Sequence, residues 1–343
     1  MMIRKAAYAR GALIGNPSDG YFGKTIALTF TNFRADVVLY ETPDLEILPN
    51  RRDHSRFNGI GELARDVNSF GYYGGIRLLK ASVKKFHDYA AAQNHALHNR
   101  NFTLHYTSDI PHQVGLAGSS AIITACIRCL MAFYNLAIPH PQLANLILSV
   151  ETEELGIAAG LQDRVAQVYG GLVYMDFNQT TMQKRGFGHY EALDPASLPP
   201  LYIAYRRDLS EGSEIVHNNL RQRFNRKEPE VLDAIQFWAD LTEQARTCLR
   251  ANQGHKLSQL LNDNFDCRTN LYDVGEGNRK MVETARNIGA SAKFTGSGGA
   301  IIGTYEDQTM LQNLKTALAA LQCDVLLPTI SPPIPDERQK TED

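Results

Sequence analysis

The chain has 343 residues, enough for two domains with cores of their own. Its 43% hydrophobic residues, 21% charged residues and net charge of −2 are those of an ordinary soluble globular protein, and they exclude nucleic acid as an expected partner. The opening Met1-Met2-Ile3-Arg4-Lys5 lacks the apolar core of a signal peptide, and five cysteines, an odd count, predict free thiols in a reducing cytoplasm.

Residues 6–14 and 25–40 read as strands, with Ile26, Leu28 and Phe30 alternating with polar neighbours. Between them lies Gly11-Ala12-Leu13-Ile14-Gly15-Asn16-Pro17-Ser18-Asp19, preceded by Arg10. Ser18 to Thr25 comes close to a P-loop, but Ser18 stands where the first glycine belongs and a strand follows where a helix is required. The segment reads instead as a polar loop gripping a small ligand, with Asp19 accepting a hydroxyl, or as an ordinary turn. Gly71 to Ala92 opens with Gly-Tyr-Tyr-Gly-Gly and continues as a helix.

Phe102, Leu104 and Tyr106 alternate as a half-buried strand. The run Pro111-His112-Gln113-Val114-Gly115-Leu116-Ala117-Gly118-Ser119-Ser120-Ala121 follows, and then Ile122, Ile123, Cys126, Ile127, Leu130, Met131 and Tyr134 recur at helical spacing. A glycine-rich turn opening a helix brings backbone N–H groups and the positive end of the helix dipole together, which is a cradle for phosphate. Gly115 to Ile138 is too interrupted by its Gly/Ser loop and by Arg128 to span a membrane. Cys126 and Cys129 form a CxxC on the apolar helix face and read as packing.

A helix starts near Pro141. Glu151, and then Asp163 on a largely uncharged turn beside Arg164, are the two carboxylates that phosphoryl transfer would need, one on a metal and one near the attacking hydroxyl. Leu172 to Phe177 is a strand. Residues 180–200 read as a linker, rich in Gly and Pro. Beyond it come a strand (Leu201 to Tyr205) and helices at 229–251, 255–274 and 278–288. A strand–turn–strand at 292–305, a last helix and a short strand at 323–327 complete an α+β second domain. Its turn Lys293-Phe294-Thr295-Gly296-Ser297-Gly298-Gly299-Ala300 has more glycine than a hairpin requires. The tail from Pro328 is expected to be disordered.

Three of these segments, in this order, resemble the motifs of the galacto-, homoserine, mevalonate and phosphomevalonate (GHMP) kinase superfamily. They are Arg10 to Asp19, Pro111 to Ala121, and Thr295 to Gly299, with Ser297 where alanine is commoner. Gly71 to Gly75, Gly156 to Gly171, Asn264-Phe265-Asp266-Cys267-Arg268 and Lys293 to Gly299 together are similar to the plant-type glucuronokinases.

The resemblance implies an α+β fold of two domains. Residues 1–185 would resemble ribosomal protein S5 domain 2, residues 200–327 would be ferredoxin-like, and 328–343 would be a disordered tail. It implies ATP and Mg²⁺ as cofactors and a sugar acid as substrate, with no nucleic acid or membrane as partner. Pro111, Gly115, Leu116, Ala117, Gly118, Ser119, Ser120 and Ala121 would hold the ATP phosphates. Ser119 or Ser120, with Glu151, would hold Mg²⁺. Asp163 would be the base, and Arg10 would stabilise it or the transferring phosphoryl group. Asp19, Asn264, Arg268, Thr295, Gly296, Ser297 and Gly298 would bind substrate. Arg268 is the expected partner of the carboxylate, and Lys24, Arg206 and Arg207 are the other candidates. A kinase for galacturonate, arabinose or a heptose would share every phosphate-side residue. A sensor on the same fold would have lost Asp163 or Glu151.

Overall fold

The computed structural model describes residues 1–49, 74–206 and 220–336. Gly71 to Tyr73, Arg207 and the end of the tail, 337–343, lie outside them.

The chain opens as an antiparallel pair, β1 (Met2–Ile14) and β2 (Lys24–Thr42). The first half of β2 continues into β5 (Leu172–Asp176) and β6 (His189–Leu193), and its second half into β4 (Asn101–Ser108) and the short parallel β3 (Glu46–Ile47). Residues 25–30 of β2 are buried without alternation, because helices cover one face and the second domain the other. Helices α1 (Gly75–Ala92), α2 (Gly118–Tyr134), α3 (His140–Ser149) and α4 (Gln162–Tyr169) form the first layer.

In α2 both Cys126 and Cys129 are buried, and burial pushes both thiols up, so the CxxC is packing, as its spacing predicts. Arg128 reaches out of this apolar helix to the carbonyls of Ala6 (3.0 Å) and Gln167 (2.8 Å). Among the described residues no helix is long and apolar enough to cross a membrane.

The segment read as a linker is structured. It holds α5 (Gln179–Arg185) and β6, which completes the first sheet out to Leu193. The second sheet, in the order β10 (Cys323–Leu326), β7 (Leu201–Arg206), β9 (Ala300–Thr304) and β8 (Lys293–Phe294), is antiparallel throughout. With α6 (Pro229–Arg250), α7 (Leu257–Leu271) and α8 (Glu276–Asn287) between β7 and β8, and α9 (Gln308–Ala319) between β9 and β10, this is the ferredoxin-like order. Tyr202, Phe265, Met281 and Leu314 belong to its own core, whereas Trp238, Leu241 and Leu261 of α6 and α7 join the core of the first domain.

The expected disorder after residue 327 is corrected up to residue 336. Opposite Tyr8 and Ala9 the register of β2 jumps from Arg34 to Phe30, which leaves Thr31–Phe33 unpaired with β1. The tail fills part of this gap and also pairs beside it. Thr31 N donates to Thr329 O (2.8 Å), Ser331 N donates to Thr29 O (2.9 Å), and Ile334 N donates to Tyr169 O (2.7 Å). Ser331, 2% exposed, also shares a hydroxyl contact with Thr29 (2.6 Å) and accepts from Gly171 N (3.1 Å). Proline is tolerated here because it falls where no ladder donor is required.

Candidate active site

The three glycine-bearing segments meet where the two domains face each other. After β1 the chain turns at Gly15, whose φ of +90° and whose closeness to Lys24 O, where an added Cβ would collide, leave no room for a side chain. The next turn, Ser18–Tyr21, is closed by Ser18 Oγ donating to Lys24 O (2.9 Å). It presents Asp19 toward the start of α4. There Asp19 accepts from Gln162 N (3.3 Å), and its carboxylate lies so close to Gly160 that a Cβ at that position would collide with it.

The second segment runs from Pro111 to the N-terminus of α2. Leu116 and Ala121 turn into the core, so they shape the turn through their backbone. Ala117, with φ of 61°, is a left-handed non-glycine residue at the helix start, and no side chain caps that end. The N–H groups of the first turn are therefore aimed outward. Ser119 Oγ donates to Glu151 Oε1 (2.8 Å). Ser120 is fully buried and is held by Gln167 Oε1 (2.7 Å) and Ala117 O (3.2 Å). Of the two serines left as alternatives in sequence, Ser119 pairs with Glu151, and Ser120 locks α2 to α4.

Glu151 sits on a π-helical turn, Val150–Glu154, is 1% exposed, and forms an ion pair with Arg164 through Oε2. Arg164 also donates to Gly160 O (2.9 Å) and lies 3.5 Å from Asp163 Oδ2. Asp163 Oδ1 is 2.7 Å from Arg10 Nη2, and the carboxylate retains 21% exposure. A line of alternating charge thus runs Glu151, Arg164, Asp163, Arg10. Asp19 stands beside it, its pKa pushed up to about 6 by burial first and by repulsion from Asp163 second.

Arg10 ties the third segment to the second. Its Nη1 donates to Gly115 O (3.1 Å) and to Thr295 O. Thr295 Oγ1 also donates to Gly115 O (3.2 Å), and a Cβ on Gly296 would come within 2.6 Å of that same oxygen. Glycine at 296 is what lets the two turns touch. Asn278 on α8 accepts from Gly299 N (2.8 Å) and so fixes the turn that contains Ser297 and Gly298.

Asn264 and Arg268 hold these segments from behind. Asn264 Oδ1 accepts from Gly15 N (2.7 Å), and its Nδ2 donates to Asn16 O (3.2 Å). Arg268, 2% exposed, donates to Gly296 O (2.9 Å) and lies over Phe294 at 5.0 Å. Against the expectation that Arg268 reads a substrate carboxylate, its guanidinium is buried and its terminal nitrogens face the Gly296 and Ser297 carbonyls. Lys293 adds a third post, with Nζ on Ala12 O (2.9 Å), Phe294 O (2.8 Å) and Asn16 Oδ1. Burial, then Arg268 and Arg10, push its pKa well down. Lys24 is likewise engaged, with Glu243 (2.6 Å) and Asp176 (3.5 Å).

Arg164 and Gln167 are the residues that sequence reasoning left without a role. Arg164 carried a signal, an arginine next to an aspartate in an uncharged turn, but its partner Glu151 stands on another element. Gln167 carried none.

Chemically, the arrangement offers outward N–H groups for phosphate and a Ser–Glu pair of hard oxygens. It adds a carboxylate clamped between two arginines and a second, easily protonated carboxylate beside it. Oxygen donors and one or two side chains suit Mg²⁺ bound together with phosphate. Ser119 and Glu151 therefore fit such an ion.

Residues 77–171 match the family described as GHMP kinases N terminal domain. The chain is 44% identical over 306 residues to Glucuronokinase 1 of Arabidopsis thaliana, covering 88% of this chain and 84% of that one. It is 44% identical over 303 residues to Probable glucuronokinase 2 of the same plant, covering 86% and 82%. In fold it is similar to Lactococcus lactis galactokinase complexed with galactose, with a TM-score of 0.72 at 15% identity over 97% of this chain and 95% of the other.

Proposed function

The chain belongs to the GHMP kinases, and on that premise we propose that it transfers the γ-phosphoryl group of ATP to the anomeric hydroxyl of D-glucuronate, giving glucuronate 1-phosphate and ADP. The observation that carries the reading is the set of contacts made by Arg10. One guanidinium joins Asp163, the Gly115 carbonyl and the Thr295 carbonyl, so all three motifs converge on one carboxylate. The substrate follows from the two Arabidopsis relatives, both of which are named glucuronokinases.

In this reading the N-terminus of α2 and the Gly115–Ser120 backbone receive the phosphates. Ser119 and Glu151 hold Mg²⁺, which supplies charge neutralisation on the phosphate oxygens. Arg164 holds Glu151 in place through their ion pair. Asp163, oriented by Arg10, takes the proton of the attacking hydroxyl as its oxygen bonds to phosphorus and the bond to the ADP oxygen breaks. Arg10 remains beside the reacting centre as a positive charge. Asp19 accepts from sugar hydroxyls, and Gly160 leaves room for its carboxylate. The turn at Thr295 to Gly298 closes the cleft over the sugar. The five free cysteines suit the cytoplasm.

The test is a substrate panel with ATP and Mg²⁺: glucuronate, galacturonate, glucose, galactose, arabinose and a heptose. Glucuronate is expected to give the highest kcat/KM and to yield an acid-labile 1-phosphate. A neutral sugar turned over better than glucuronate would overturn the reading.

A further inference from the structure

We propose that Arg221 is the side chain that reads the carboxylate of the sugar acid, an inference that rests on the glucuronate kinase reading above. A uronate differs from a neutral hexose by one charged, planar group. Recognising it takes a cation with free donors, and a guanidinium suits it best because its fork meets both oxygens.

The cations around the first loop are nearly all committed. Arg10 is bound to Asp163 and two carbonyls, and Arg164 to Glu151, Asp163 and Gly160. Arg268 is buried on the third turn, Lys293 has three acceptors, and Lys24 pairs with Glu243. Arg206 is engaged as well.

Arg221 differs. It lies on the helical segment 220–225 and is exposed. Its guanidinium carbon sits 4.4 Å from the centroid of the Tyr21 ring. One terminal nitrogen is 3.1 Å from where a Cβ of Gly20 would stand. Among the described residues no carboxylate lies within ion-pairing distance of it and no hydrogen bond engages it. It therefore rests against Gly20 and Tyr21, the two residues that follow Asp19, with its N–H donors unspent.

Its position is built. Leu220 is buried, and Phe224 packs on Tyr21 at 5.1 Å, so the helical segment is anchored in the core on one side of Arg221 and on the Ser18–Tyr21 turn on the other. Arg223 fastens the same segment to α7 by donating to Leu271 O (2.8 Å). Resting on an aromatic face holds a guanidinium in place without consuming its donors. Gly20 lets the charge approach the loop backbone. Asp19 is then the hydroxyl acceptor of the loop and Arg221 its cation for the carboxylate, so one short turn presents both signs to one substrate.

The experiment compares wild type, Arg221→Ala, Arg221→Lys and Arg221→Glu in steady state, with glucuronate and with glucose. In Arg221→Ala the KM for glucuronate should rise about tenfold or more, in line with loss of one partner of a charged hydrogen-bonded pair. The KM for ATP and the kcat/KM for glucose should hold within about threefold. Arg221→Lys should recover part of the loss, and Arg221→Glu should exceed Arg221→Ala. Wild type active on glucuronate with an unchanged KM in Arg221→Ala would overturn this assignment alone. Wild type with no glucuronate activity would overturn both readings.

Discussion

Two buried polar clusters lie within one cleft, and each contains a buried arginine. One is the line Glu151, Arg164, Asp163, Arg10; the other is the post Asn264, Arg268, Lys293. In the first, charge meets opposite charge, and one carboxylate keeps an exposed edge. In the second, the terminal nitrogens of Arg268 and Lys293 meet neutral backbone carbonyls and an amide oxygen. The first can exchange a proton or touch a ligand, because a donor or acceptor remains available. The second has spent its capacity on shape. An arginine near a substrate is thus a reader or a prop according to where its N–H groups already point, and only a structure supplies that.

The largest effect expected from this contrast is at Asp163. Asp163→Asn should lower kcat by roughly 10²–10⁴-fold, the usual worth of a positioned base, while ATP binding measured by calorimetry stays near wild type. Near-normal turnover would move the chemistry elsewhere. Arg268→Ala should behave in the opposite way. It should cost about 2–4 kcal/mol of stability, seen as a lower midpoint in denaturant, because buried carbonyls lose their charged donors. The glucuronate-to-glucose preference of the folded fraction should not move. A selective loss of glucuronate would return Arg268 to the substrate side.

Metal dependence gives a finer division within the first cluster. Glu151→Gln should raise the Mg²⁺ needed for half-maximal activity about tenfold or more, since a hard cation prefers carboxylate oxygen. Ser119→Ala should do so more weakly. Ser120→Ala should leave the metal titration alone and lower the melting temperature, because its hydroxyl serves Gln167. Equal metal effects at both serines would contradict the division.

The smallest effect concerns pH. With its pKa raised to about 6, Asp19 is protonated in the folded protein at pH values where an unfolded chain has already ionised it. Its contribution to stability is therefore present at low pH and is lost as pH rises through 6. In the proposed role ionised Asp19 accepts from a sugar hydroxyl, so kcat/KM for the sugar should fall below about pH 6. In Asp19→Asn that acid limb should flatten, on a lower plateau. An unchanged profile would assign the limb to another group.

Much of this was legible in sequence. Alternation located β2 and β4, although residues 25–30 of β2 prove buried on both faces, β1 and β5 were read as strands as well, and helical patterns located α2, α3 and α6 to α9. The glycine-rich segments marked the three turns because close backbone approach leaves a compositional trace, as Gly15 and Gly296 show. Tertiary partnership leaves none. Arg164 and Glu151 stand on different elements, and Gln167 is an ordinary helix residue until Ser120 meets it. The proline-rich tail looked unfoldable because proline lacks a donor. The residues between the prolines supply the bonds, and the register jump in β2 that accepts them cannot be read from composition.

The tail also governs how the two halves can move. The polypeptide passes from the first sheet to the second between Leu193 and Leu201, and it returns between Leu326 and Thr329. A body attached at one point can swing in any direction, whereas one attached at two points turns only about the line that joins them. The return of the C-terminal strand gives the two sheets a second covalent tie, and the seating of Trp238, Leu241 and Leu261 in the first core adds a packed one, so Asp19, Asp163 and the Thr295 turn are held in register by chain and core together.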